Sequence, residues 1–177
     1  MKKSRLLLIP ILVLIGVTVQ AADKPGSVTV QGDGFTISAM EPQGWKGDSV
    51  NAGLAHVNLF YYRTSENIQN AKTPIKVLVS KKTDENTAED LKYDMESYRK
   101  QYPDVKFKDM PLKHPTYRTY AMLFYVKNGF HEYVTYLNPG KSFPYIISVS
   151  MTVQKKTASR EDMRTYAAIV GSVKALK

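Results

Sequence analysis

Apolar and polar residues alternate in short runs along most of this chain, and the alternation lays out a series of strands. Val28 to Gln31 and Phe35 to Ala39 flank Gly32-Asp33-Gly34, the pattern of a tight hairpin. Glu41 to Trp45 breaks the alternation, and Lys46 to Gly53 reads as polar loop. Leu54 to Tyr62 is apolar and aromatic enough for a strand, which would place His56 within it. Thr64 to Thr73 is polar again, and Pro74 to Ser80 then carries Ile75, Val77 and Val79 on one face. Val105 to Lys108 reads as a short strand and Tyr117 to Val126 as a long one. Asn128-Gly129 is a primed-turn signal into Phe130 to Leu137. After a loop at Asn138 to Ser142, Tyr145 to Val153 gives the last strand.

Two segments change period from two to 3.6. In the first, Leu91, Met95, Tyr98 and Tyr102 form one helical stripe, and Pro103 stops the helix. Thr87-Ala88-Glu89-Asp90 precedes the stripe, so the Thr87 hydroxyl is expected to cap it. The second helix opens at Ser159-Arg160-Glu161-Asp162, with Met163, Tyr166, Ala167, Val170 and Val173 as its apolar stripe.

The late strands carry apolar residues on both faces. Tyr117 to Val126 is apolar on both sides. Tyr145 to Val153 pairs an apolar face with Ile146, Ser148, Ser150 and Thr152, small enough to let a helix approach. A meander joined by hairpin turns is antiparallel, and two apolar faces must both be covered. The expected class is therefore α+β, an α/β/α sandwich with a central antiparallel sheet flanked by helices.

The N-terminus follows a different pattern. Lys2, Lys3 and Arg5 precede an apolar run of 14 residues, Leu6 to Val19, and small residues follow at Ala21 and Ala22. These are the three parts of a secretory signal peptide, with cleavage after Ala21 or, as taken here, Ala22. The run is short for a membrane-spanning helix, which needs about 20 residues, and it contains Pro10. The chain has no Cys, so it has no thiol to carry a lipid and is not a lipoprotein. It also has no disulfide and no thiolate ligand. The expected location is periplasmic or secreted. Removing 22 of the 177 residues leaves 155, enough for one domain with a full core. Three of the 25 Lys and Arg residues lie in the leader, so 22 face 16 acidic residues in the mature chain. That net positive charge permits contact with anionic lipid, lipopolysaccharide or an acidic protein face, but plain solubility accounts for it better.

No catalytic motif is present. His131-Glu132 resembles the start of a zinc-protease motif, but position 135 is Thr, and on a strand the two side chains point to opposite faces. His56 and His114 have no ligand spacing. Gly-x-Ser-x-Gly, Gly-rich phosphate loops and calcium-loop patterns are absent. The expectation is a protein that is not an enzyme and carries no cofactor or metal. The tyrosines alternate within strands, where they pack as core, so nucleic acid is not an expected partner.

The opening strand Gly34-Phe35-Thr36-Ile37 leads into Pro42-Gln43-Gly44-Trp45. A mid-chain helix from Leu91 to Gln101 precedes aromatic hairpin strands, and a last helix ends near Ile169-Val170-Gly171-Ser172. In that order these pieces resemble the PsbP-like family, which includes the extrinsic PsbP protein of photosystem II, a Ran-binding import factor and bacterial envelope proteins. The resemblance implies an accessory or assembly role rather than catalysis. The expected organisation is a signal peptide at 1–22, a leader and first short strand at 23–31, and one PsbP-like domain at 32–177. The expected function is a non-enzymatic periplasmic accessory protein that binds another envelope protein or assembly. The alternative is a binding protein for a lipid or other small amphiphile. The candidate contact residues lie on loops and edges: Trp45, Lys141, Lys155, Lys156, Arg160 and Arg164.

Overall fold

A computed structural model describes residues 26–83 and 87–176. The signal-peptide segment lies outside the described residues. Among the described residues, ten strands and two α-helices follow one another as β1 (Gly26–Gly32), β2 (Phe35–Glu41), β3 (Trp45–Asp48), β4 (Leu59–Arg63), β5 (Ile75–Lys81), α1 (Ala88–Gln101), β6 (Lys106–Asp109), β7 (Arg118–Tyr125), β8 (Phe130–Asn138), β9 (Tyr145–Gln154), α2 (Arg160–Ser172) and β10 (Lys174–Ala175). A 3-10 turn at Ala52–Ala55 links β3 to β4.

Seven strands form a central antiparallel sheet in the order β3-β4-β5-β9-β8-β7-β6. The alternation read from the sequence decides its two faces. On one face Leu59, Tyr61, Ile75, Val77, Ile147, Val149, Met151 and Val153 form the main core, against Tyr166, Ile169, Val170 and Val173 of α2. On the other, Met122, Phe124, Val134, Tyr136 and Ile146 meet the stripe of α1. The expected sandwich is present: a central antiparallel sheet lies between helical layers.

The α2 face also carries a second sheet, ordered β1-β2-β10, which the sequence reading left as a hairpin only. Val30, Phe35, Ile37 and Ala39 of this small sheet belong to the main core. Its β1–β2 hairpin turns at Asp33-Gly34, with Gly34 at φ +77°, a left-handed conformation natural to glycine. The small sheet is tied to the large one by the Tyr61 hydroxyl, which donates to the Met40 carbonyl at 2.9 Å, and to α2 by the Met40 amide, which donates to Ser172 Oγ at 2.9 Å. Gly47 in β3 allows this closeness: a Cβ there would sit 2.7 Å from Val28 Cγ2.

Both helix starts carry a cap-like sequence, but only one works as a cap. At α2, Ser159 Oγ accepts from the Asp162 amide at 3.1 Å and Asp162 Oδ2 accepts from the Ser159 amide at 3.3 Å, a reciprocal capping box. At α1 the Thr87 hydroxyl makes no capping bond. It is buried and accepts from Asn138 Nδ2 at 3.0 Å, because β8 ends beside it. The first half of the expected Leu54–Tyr62 strand is instead the 3-10 turn and its exit, and His56 is exposed at φ +54°. Conversely, Trp45–Asp48 is a strand where the sequence reads as loop after Trp45.

Candidate functional site

α1 covers only part of its face. Its inward stripe is half-buried, none of its residues is fully buried, and Tyr98 stacks on Phe124 with ring centroids 4.6 Å apart. At the far end of the same face, the 3-10 turn packs on Phe60 and Tyr62 of β4. The sheet surface between these two covers stays open and forms a groove of about 270 Å³. Its floor is Lys76 and Leu78 of β5 with Ser148 and Ser150 of β9, which pair as Lys76↔Ser150 and Leu78↔Ser148. Ala55 and Val57 line one side, and Asp94, Ser97 and Tyr98 of α1 line the other. A smaller hollow of about 180 Å³ shares Lys76, Tyr98 and Glu132 and carries the groove on past Tyr102 and Phe130. The serines thus do not seat a helix, as the sequence had implied; they leave the sheet face uncovered.

The groove's acidic wall is built in pairs. The Tyr136 hydroxyl donates to Asp94 and the Tyr98 hydroxyl donates to Glu132, joining helix to strand in both cases. Burial pushes the Asp94 carboxyl above the usual aspartate range; the Tyr136 hydrogen bond opposes this, while the charges of Asp90 and Glu132 add to it. Burial, with the facing carboxylates behind it, raises both tyrosines far above ordinary phenols, so both remain protonated donors. Each carboxylate keeps acceptor capacity beyond its one phenol. With Lys76 on the floor, the groove presents charge of both signs beside the apolar Ala55, Val57 and Leu78. Leu78 is 39% exposed, and Leu54, on the turn above, is 72% exposed.

None of the three histidines lines this groove, although His56 stands between Ala55 and Val57 at its side. His114 is buried in a loop: its Nδ1 accepts from the Thr116 and Tyr117 amides, so the proton sits on Nε2, which donates to the Val173 carbonyl at 3.0 Å. That is a structural clamp on the end of α2, and burial lowers the ring's pKa. His131 and Glu132 point to opposite faces, since Glu132 lies in the groove and His131 stacks on Tyr125 across the sheet. Among the described residues, no three His, Asp or Glu side chains group closely enough to hold a metal ion. No described helix is long and apolar enough to cross a membrane.

The residues singled out from the sequence lie elsewhere. Trp45 is 3% exposed and closes the core, with the Arg63 guanidinium 5.0 Å over its ring. Lys141 is exposed on the loop after β8. Lys155 and Lys156 are adjacent in sequence but face different hollows: Lys155 stands with Lys106 and Lys127, and Lys156 with Arg63 and Lys72. Arg160 and Arg164 are exposed on α2, whose first turn is acidic, with Glu161 and Asp162 both bonded to Arg63. The one signal for the groove was the run of Ser148 and Ser150 on a face otherwise apolar, with Lys76 in the neighbouring strand.

This architecture, a twisted antiparallel sheet with one helix on one face and a helix plus a small sheet on the other, is the PsbP-like fold. The solution structure of cyanobacterial PsbP (CyanoP) from Synechocystis sp. PCC 6803 superposes with a TM-score of 0.52 at 15% identity, covering 89% of this chain and 95% of that one. The crystal structure of LpqN, involved in cell envelope biogenesis of Mycobacterium tuberculosis, superposes at 0.53 with 16% identity, covering 86% and 92%. No family model and no curated protein sequence matches this chain.

Proposed function

We propose that this chain is a non-enzymatic envelope protein that holds another envelope protein, and that it does so along the groove between α1 and Ala52–Ala55. The observation that carries this reading is the uncovered strip of sheet at Ser148 and Ser150, walled by two separate elements, with exposed Leu78 on its floor and exposed Leu54 on the turn beside Ala55. Exposed apolar side chains beside polar donors and acceptors of both signs suit a polypeptide segment that brings its own amides and mixed side chains. An acyl chain fits this lining less well, because seating it would cover Asp94, Glu132 and Lys76 without giving them partners. The envelope location rests on the leader pattern, and it is supported by a structural neighbour named for cell envelope biogenesis.

The test is affinity capture from crosslinked native cells with the tagged protein, compared with Leu54→Asp and Leu78→Asp. Both side chains are exposed, so the variants fold with unchanged melting temperature. The reading expects one enriched envelope protein whose yield falls in both variants. Equal yield from both would remove the groove as the contact. A turnover by the purified protein, lost on changing a defined residue, would remove the non-enzymatic reading.

A further inference from the structure

We propose that a second site, on the α2 face at the β6 edge of the large sheet, binds a phosphoryl anion between Lys106, Lys127, His131 and Lys155. These residues line an open hollow of about 730 Å³. The sheet register puts three of its members in one row: Lys106 of β6 lies opposite Tyr125 of β7, which lies opposite His131 of β8. The other two lysines are brought in by the backbone. Lys127 opens the β7–β8 turn, and Asn128 beside it takes φ +61°. Lys155 leaves β9 in the left-handed conformation, also at φ +61°, and its amide donates to the Gly129 carbonyl at 2.6 Å. That bond pins the end of β9 against the turn, setting Lys155 beside Lys127. A non-glycine residue held at positive φ is uncommon, and here it holds a third lysine at the hollow.

His131 adds a polar ring fixed in place. Its ring stacks on Tyr125 at 5.8 Å and 7°, which fixes its plane. Its Nδ1 is buried and has no hydrogen-bond partner among the described residues. A buried imidazole nitrogen without a partner carries a desolvation cost that a hydrogen-bonding ligand in the adjoining hollow would offset.

Three lysines and one imidazole, opposed by Asp104 alone on the lining, define the ligand's chemistry. Lysines act as separate point charges rather than as the planar fork that pairs with a carboxylate. A phosphoryl group, with several anionic oxygens pointing in different directions, can meet several such donors at once; a carboxylate has two oxygens in one plane. The same chemistry is offered by free phosphate and by a phospholipid head group. This site lies across the sheet from the groove and stands or falls independently of it.

The test uses the purified protein, inorganic phosphate, and vesicles of phosphatidylcholine with and without phosphatidylglycerol. Binding is followed by amide resonances and by cosedimentation. Phosphate is expected to shift the resonances around Lys106, Lys127, His131 and Lys155, and each Lys→Ala change there should weaken binding roughly 10-fold. Lys156→Ala with Arg160→Ala and Arg164→Ala is the control and should leave binding within about twofold. Melting curves check that all variants fold. If vesicles bind only with phosphatidylglycerol, and only through these lysines, the head group is the source. If phosphate binds and the vesicles do not, a free phosphoryl compound is. Absence of binding to either probe, binding unchanged in the triple Lys variant, or equal loss in the control would overturn the site.

Discussion

Tyr166→Phe tests how α2 is fastened to the sheet. Tyr166 is fully buried, and its hydroxyl donates to the Val149 carbonyl at 2.9 Å. A phenol has one proton to give, so the 2.8 Å contact with Thr135 must run the other way, with the Thr135 hydroxyl donating to Tyr166. Thr135 is also fully buried. Removing the Tyr166 oxygen leaves that Thr135 donor stranded, at about 1–3 kcal/mol, and deletes a bond to Val149 worth about 0.5–1.5 kcal/mol. The expected cost is about 2–3 kcal/mol. For a chain of this size that lowers the melting temperature by about 5–10 °C. Thr135→Val alone keeps the bond to Val149 and should cost about 1 kcal/mol. In the double variant no donor is stranded, so its cost should fall below the sum of the singles by about 1 kcal/mol. Urea denaturation of the four proteins measures the cycle. A Tyr166→Phe effect under about 0.5 kcal/mol, or strict additivity, would refute the argument.

Three further outcomes follow from single contacts. Asp162→Ala removes half of the capping box and the better-buried partner of Arg63, a loss of about 2 kcal/mol by denaturation, while Glu161→Ala, 73% exposed at the side chain, should change stability by less than about 0.5 kcal/mol. Asp94→Asn should alter the pH dependence. A carboxyl raised by burial is stabilised in its protonated form, so its contribution is present at low pH and is lost as pH rises through its folded value. Stability of the wild type should therefore fall over that window more than that of Asp94→Asn, which keeps an acceptor for Tyr136; identical pH profiles would contradict the burial assigned to Asp94. His114→Ala should free the end of α2, because it strands the Thr116 and Tyr117 amides and the Val173 carbonyl. Faster hydrogen exchange at Val173 and Lys174 would register it.

Most of the fold was legible because its late strands are long runs of β-branched and aromatic residues bounded by turn signals. β7, β8 and β9 begin and end within a residue or two of the sequence reading, and the Asn128-Gly129 turn joins β7 to β8 as its residues require. Ser159 caps α2 because the chain enters that helix in an extended conformation, at ψ 163°. Thr87 carries a similar sequence, but its backbone is already helical and its hydroxyl is engaged by Asn138, 51 residues away, a contact no local pattern reports. β3 and β10 were missed because four and two residues are too few for alternation to show. They exist through their partners, β4 and β2.

The candidate site was less legible, and for one reason. Both faces of the sheet read as apolar in the sequence, a pattern that implies two covered faces and leaves only loops and edges for contacts. The cover on the α1 face is split between a helix at β7–β8 and a turn at β4, leaving the serines of β9 open between them. Where α1 settles depends on Tyr98 reaching Glu132 and Asp94 reaching Tyr136, and those pairings lie 34 and 42 residues apart in the chain. The basic hollow was half visible. Lys155 stood out from the sequence, but it was grouped with its sequence neighbours, whereas the left-handed turn at that residue sends it toward Lys106 and Lys127.

The most direct test of the groove is in-cell photocrosslinking from single positions. A photoreactive residue is placed at Ala55, Leu78 or Ser148 in the groove, and at Ser27 or Thr29 on the exposed side of β1. The account predicts one and the same envelope protein crosslinked from all three groove positions and from neither β1 position. Crosslinks from β1 alone, or no adduct from any groove position, would contradict it.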